Sequence, residues 1–331
     1  MKISEVVNQY ARTFSPYASD LVNHLPMGQL ALYMMGNDVE KIASYSESYI
    51  KSGRIDKIKV EFSPVETITE CVGKRDLYEA CLLLIEKEIQ LKGVEKVIAE
   101  VLNSYPLGIS SGLFHTTIRL AYAVEGMKLD QDLEEEVARA LAYYITAYRE
   151  GSVFNKKVNP SRFLESIEKV FNNGEIIELL KSNPSRGKKL HALYNDSKYM
   201  EMGLLIDGSN EEKVVNLLEL LLPILDETDS ILVLHCITGL QALLVLEDYF
   251  NNFSYILDIM TTYIITHLLT ADNEGVPMDL GENKSWDNII RDSSNSTNVH
   301  TIKYAYSTSE LYKKYNIDKL RQSAQLRAMR N

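Results

Sequence analysis

The chain holds only three cysteines, a single tryptophan and no Gly-x-Gly among its sixteen glycines. Cys71, Cys81 and Cys236 are odd in number and lack any Cys-x-x-Cys spacing. Neither a disulfide framework nor a zinc knuckle is therefore suggested, and three reduced thiols of a cytoplasmic protein are expected. Without Gly-x-Gly there is neither a dinucleotide fingerprint nor a kinase-type glycine loop, and the Walker, Gly-x-Ser-x-Gly and His-Glu-x-x-His patterns are also missing. No glutamate stands three residues before a histidine, which removes the halves of a ferritin-like di-metal bundle. No histidine is followed at the second position by an acid, the usual opening of a two-histidine, one-carboxylate iron site.

Basic residues are outnumbered. The net charge of −11 disfavours nucleic acid and anionic membranes as partners, since both need a clustered basic surface. The one basic cluster, "LRQSAQLRAMR", reads as a solvated terminal helix. "MKISEVVNQY" has one lysine, then Glu5 and no apolar core, so it does not read as a secretory signal. The longest apolar run, "ILVLHCITGLQALLVL" at 231–246, is shorter than a membrane span and carries His235 near its middle.

What the chain has in abundance is helical periodicity. "RDLYEACLLLIEKEIQL" places Leu77, Cys81, Leu84 and Ile89 on one side, opposite Glu86, Lys87 and Glu88. "DQDLEEEVARALAYYITAYRE" opens on acids and closes on Arg149, complementing the helix dipole. "DGSNEEKVVNLLELLLPIL" begins at a cap residue, Ser209, and "NFSYILDIMTTYIITHLLTAD" is a further long helix. Strand-like alternation is confined to "RIDKIKVEF" at 54–62. These patterns predict an all-α fold: one multi-helix domain over 1–331, with room for two helical lobes around a central site. A long loop is expected at 271–284 and a helical tail at 316–331.

Six histidines occur, and four share a local context. His24 has Gly28 one turn on, His115 has Gly112 one turn back, His235 has Gly239 one turn on, and His300 has Ser296 one turn back. Residues three or four apart share a helix face, so each imidazole is expected beside a small residue. Glycine within a helix costs about 1 kcal/mol against alanine, and either a close helix crossing or a bound group must compensate. The four can equally be packing residues. His191, after "RGKK", reads as exposed, and His267 as a core or helix-end residue.

Together the four stretches resemble the questin oxidase-like proteins. The motifs are Asn23-His24-Leu25-Pro26, Gly112 through Arg119, His235 through Gly239, and His300 through Lys303 after Trp286. They stand in the family's order from about residue 20 to 305, with Asn298 where an acid is expected before the last histidine. The resemblance implies an oxidoreductase that uses dioxygen to open or cleave a ring of a polycyclic aromatic such as an anthraquinone. It implies non-haem iron held by His24, His115, His235 and His300. It also brings NADPH, for which the chain carries no recognisable motif.

Imidazole suits Fe(II), Zn(II) and Cu(II) alike, so ligand type does not name the metal. A zinc hydrolase using the same ligands and a non-catalytic helical scaffold stand as the alternatives. Four neutral histidines leave a divalent ion its full charge, which favours an anionic fifth ligand. Lys303, one turn from His300 and matching the family motif, becomes such a ligand if it is neutral and takes up carbon dioxide as a carbamate; otherwise it is a surface lysine. Arg119, one turn beyond His115, either holds a substrate phenolate or carboxylate or forms an internal salt bridge. Trp286 reads as the anchor of the long loop rather than a pocket wall.

Overall fold

The computed structural model describes residues 1–18, 21–51, 55–271 and 278–330. It is all-α: 71% of it is helical, with seventeen α-helices among the described residues. The caps explain where several of these begin. Ser209 Oγ accepts from the Glu212 backbone N–H while Glu212 returns a carboxylate to the Ser209 N–H, a reciprocal box that starts the Asn210–Thr228 helix. Glu134, Glu135 and Glu136 occupy the first turn of the Glu134–Thr146 helix, where the dipole favours them. In the Tyr78–Lys92 helix the buried face is Tyr78, Cys81, Ile85 and Ile89. Leu77 and Leu84, expected on that face, are only partly buried.

The strand expected at 54–62 does not form. Residue 54 lies outside the described residues, and the rest contributes one bridge, Phe14 to Lys57. Val60 is 92% exposed, so the alternation there has no apolar surface to pack on. The strands that do form are very short: Tyr17–Ala18 against Leu21–Val22, and Lys156–Val158 parallel to Leu204–Ile206.

The terminal helix, Asp318–Met329, is not solvated as its charge suggested. Leu320, Ala324 and Leu326 are buried, and Arg327 donates to both Asp229 carboxylate oxygens at 2.9 and 3.0 Å. Within the expected loop, residues 272–277 lie outside the described residues. Its later part is tied to this helix: Gln325 Nε2 donates to the Leu280 and Glu282 carbonyls, and its Oε1 accepts the Lys284 N–H. Trp286 opens the Trp286–Ser294 helix with its ring against Tyr312, 5.4 Å between centroids.

One hydrophobic cluster runs from Ile3 to Leu320. At its centre four helices pack in a closed ring: Leu25–Met34 on His115–Leu129, that on Ile231–Val245, that on Val299–Tyr315, and the last back on the first. Each carries one of the four histidines at or near its N-terminal end.

Candidate metal centre

His24 immediately precedes its helix. Asn23 fixes the entry, its Oδ1 accepting the Leu25 N–H and its Nδ2 donating to the Ser15 carbonyl, while the His24 N–H donates to Tyr49 Oη at 3.0 Å. His115 is the first residue of its helix. Gly112, Leu113 and Phe114 before it all have positive φ, at 58°, 58° and 65°. Left-handed backbone costs a non-glycine residue roughly 1–2 kcal/mol, so this turn is held by its surroundings. Thr117 Oγ1 donates to the Ile109 carbonyl, and the Phe114 N–H donates to Ser110. Gly112 is therefore a left-handed turn, not a partner of His115 on one helix face.

His235 sits in the second turn of its helix and is 1% exposed. His300 follows Val299 at the start of its helix, and Asn298 Oδ1 accepts its backbone N–H at 3.0 Å. The residue standing where an acid was expected thus serves as the cap. Ser296, like Gly112, lies ahead of its helix and shares no face with its histidine.

The four side chains converge: one ring nitrogen from each lies within 4.8 Å of the others. His24 Nε2 and His115 Nε2 are 2.7 Å apart, and the His235 ring centroid is 4.3 Å from that of His115 and 5.0 Å from that of His300. Two of the tautomers follow from the hydrogen bonds. His115 Nδ1 is bonded to the Gly112 carbonyl and His235 Nδ1 to the Ile231 carbonyl at 2.6 Å. A carbonyl accepts only, so Nδ1 carries the proton and Nε2 keeps its lone pair for the centre. His235 Nε2 is buried there with no hydrogen-bond partner.

These observations fit a metal ion. Two imidazole nitrogens on opposite sides of an ion, each at about 2.1 Å, stand about 4.2 Å apart, within the observed spread. Burial holds the imidazoles neutral, as ligation requires: it pulls His115 down to about 3 and His300 to about 2, and His24 and His235 well below the ordinary range. The cationic neighbour Lys303 adds to the depression in all four.

Lys303 is wholly buried on the same helix as His300, and its Nζ has no hydrogen-bond partner among the described residues. Burial alone lowers it to about 7. A surface position is thereby ruled out. Arg119 is only 1% exposed and is occupied: its Nε and Nη2 grip Glu136 at 2.7 and 3.1 Å. This is the internal salt bridge, so a carboxylate from the chain itself takes the place expected for a substrate anion; Nη1 alone is left without a partner. Glu136 lay in a run of three glutamates that read as helix-dipole charge, and nothing in its spacing singled it out. His191 is exposed and His267 is buried against Phe114, 5.3 Å between ring centroids; neither joins the group.

The small neighbours have side-chain explanations. A Cβ on Gly239 would meet Phe114 Cβ and Cγ at 2.8 Å, and one on Gly28 would meet the Tyr45 ring and Val299 at 3.0 Å. Both glycines admit neighbouring side chains rather than a ligand. Tyr45, Tyr49 and Phe114 escaped sequence reasoning because their roles depend on which helices pack together.

No helix among the described residues is long and apolar enough to cross a membrane. No curated protein matches the chain. A family's sequence model does match, over residues 21–221, taking in His24 and His115 but stopping short of His235 and His300. With three-fifths of its length so matched, the chain belongs to the questin oxidase-like family.

Proposed function

We propose that the chain is an oxygen-dependent oxidoreductase that opens or cleaves a ring of a quinone or polyphenolic aromatic at a mononuclear non-haem iron. The carrying observation is the convergence of four ring nitrogens, three from buried histidines and one from a half-buried one, within 4.8 Å at or near the starts of four separate helices. His24, His115, His235 and His300 would hold the ion. When bound, Fe(II) supplies dioxygen activation, which no side chain provides by itself.

Lys303 is the proposed anionic partner. As an ammonium it would repel a cation, and it has no acid to pair with in its buried position. As a neutral amine its nitrogen lone pair attacks carbon dioxide, one C=O π-pair moves to oxygen, and the N–H proton passes to solvent. The resulting carbamate presents a carboxylate where an ammonium stood. Three of the four histidines sit at helix N-termini, whose positive ends favour an anion at the centre. Three free, buried thiols suit a cytoplasmic setting.

The test is elemental analysis of anaerobically purified protein, followed by oxygen uptake with dihydroxyanthraquinones, with and without NADPH. Iron near one per chain and aromatic-dependent oxygen uptake are expected. Zinc at the site with no uptake under any condition would overturn the reading.

A further inference from the structure

A cavity of about 510 Å³ lies between the Val39–Lys51 helix and the turn 294–297. Its volume is in the range that takes a drug-sized molecule. Tyr45, Tyr49 and Leu32 line it, and Ser44, Ser48 and Thr297 add hydroxyls. The Tyr45 and Tyr49 rings are 6.0 Å apart with their planes inclined at 43°, two differently tilted aromatic faces. No carboxylate lines the cavity, and its one ionic group, Lys41, is bonded through Nζ to Asn295 Oδ1 at 2.9 Å. Such a lining suits an uncharged planar ring bearing hydroxyl or carbonyl groups. The larger hollow around Lys156, Arg162 and Lys198 is dominated by cations and suits no such ring.

None of the four histidines lines this cavity, but its lining is joined to the segments that carry them. Tyr49 both lines it and accepts the His24 backbone N–H. Thr297 stands three residues before His300 in the chain. Tyr45 turns its hydroxyl inward toward Gly28, one turn from His24, where that oxygen is buried without a hydrogen-bond partner. We propose that this cavity is the seat of the aromatic substrate, a planar phenol or quinone, held against the Tyr45 and Tyr49 rings, with Tyr49 linking the cavity to the His24 backbone. The inference rests on the metal-centre reading for its chemistry and on the cavity for its location.

The experiment titrates the full-length, metal-loaded protein with 1,8-dihydroxyanthraquinone, followed by visible absorption. Metal content and thermal midpoint are measured on the same samples. Ser48→Trp and Thr297→Trp fill the cavity from exposed rim positions. Each should raise the probe Kd roughly ten- to hundredfold, the loss of one buried ring's transfer free energy, with metal content unchanged. Tyr45→Leu removes a stacking face without adding bulk and should weaken the probe in the same direction, which decides the matter if a tryptophan variant melts early. Unchanged binding in the folded variants, or no binding by the metal-loaded wild type, overturns the proposal. Failure of the metal-centre reading shows separately, as wild-type protein without metal, and the titrations then judge the cavity alone.

Discussion

Lys303→Met should make the metal-free protein more stable, although it deletes a side chain at the heart of the proposed site. Lys303 is wholly buried, its Nζ lacks a partner, and burial carries it from 10.5 to about 7. The folded value lies below the unfolded one, so between pH 7 and 10.5 the unfolded chain binds more protons and stability rises with pH. At pH 7 that difference corresponds to a penalty of about 4 kcal/mol, falling to about 2 kcal/mol at pH 9. Methionine fills similar space with nothing to desolvate. Urea unfolding of chelator-treated wild type and Lys303→Met at both pH values should show the variant ahead by these amounts, with the gap closing as pH rises. Iron and bicarbonate should reverse the order, because only the wild type can then gain the carbamate as a ligand. An unchanged midpoint, or a gain equal at pH 7 and pH 9, refutes the idea of an uncompensated ammonium in that position.

Other outcomes follow from the same geometry. His235→Ala, at the most buried of the four histidines, should abolish stoichiometric metal while His267→Ala leaves it intact, by elemental analysis. Glu136→Ala strands the Arg119 guanidinium and should cost about 3–5 kcal/mol in denaturant unfolding, without lowering metal content if Arg119 is structural. Gly239→Ala pushes a methyl group into Phe114, the residue before His115. It should destabilise by about 1–3 kcal/mol and weaken metal affinity in a chelator competition. In acid, the folded values of His115, about 3, and His300, about 2, lie below the unfolded 6.5, so their contribution is full above pH 6.5 and is lost as pH falls through those values. Urea midpoints of the metal-free protein should decline through that window.

Helix positions were largely legible because a helix's buried face repeats along the chain, and Ser209 and the acidic start of Glu134–Thr146 mark their own boundaries. The parallel pair Lys156–Val158 and Leu204–Ile206 was not, since each strand is three residues long and its partner lies almost fifty residues away. The terminal helix misled for a related reason. Arg327 looked solvated until Asp229, about a hundred residues earlier, was seen to hold it. Within the centre, the histidines stood out as ligand types beside small residues. The reason for the small residues, however, lay in Tyr45, Val299 and Phe114, which come from other segments. Arg119 had two readings at equal spacing, and only the packing of neighbouring helices supplied Glu136 to choose between them.

His24 and His300 meet, 4.9 Å between ring centroids, although 276 positions separate them in the chain. On the ribosome, at roughly 5–20 residues per second, the last histidine is made roughly 14–55 s after the first. His235 is made 65 positions before His300, so just before the end of that interval three of the four imidazoles exist while the fourth and Lys303 do not. The helix that completes the ring also carries both His300 and Lys303, so the ring of helices and the candidate metal site are completed by the same segment. A metal ion that needs all four imidazoles can therefore be held only once Val299–Tyr315 has been made.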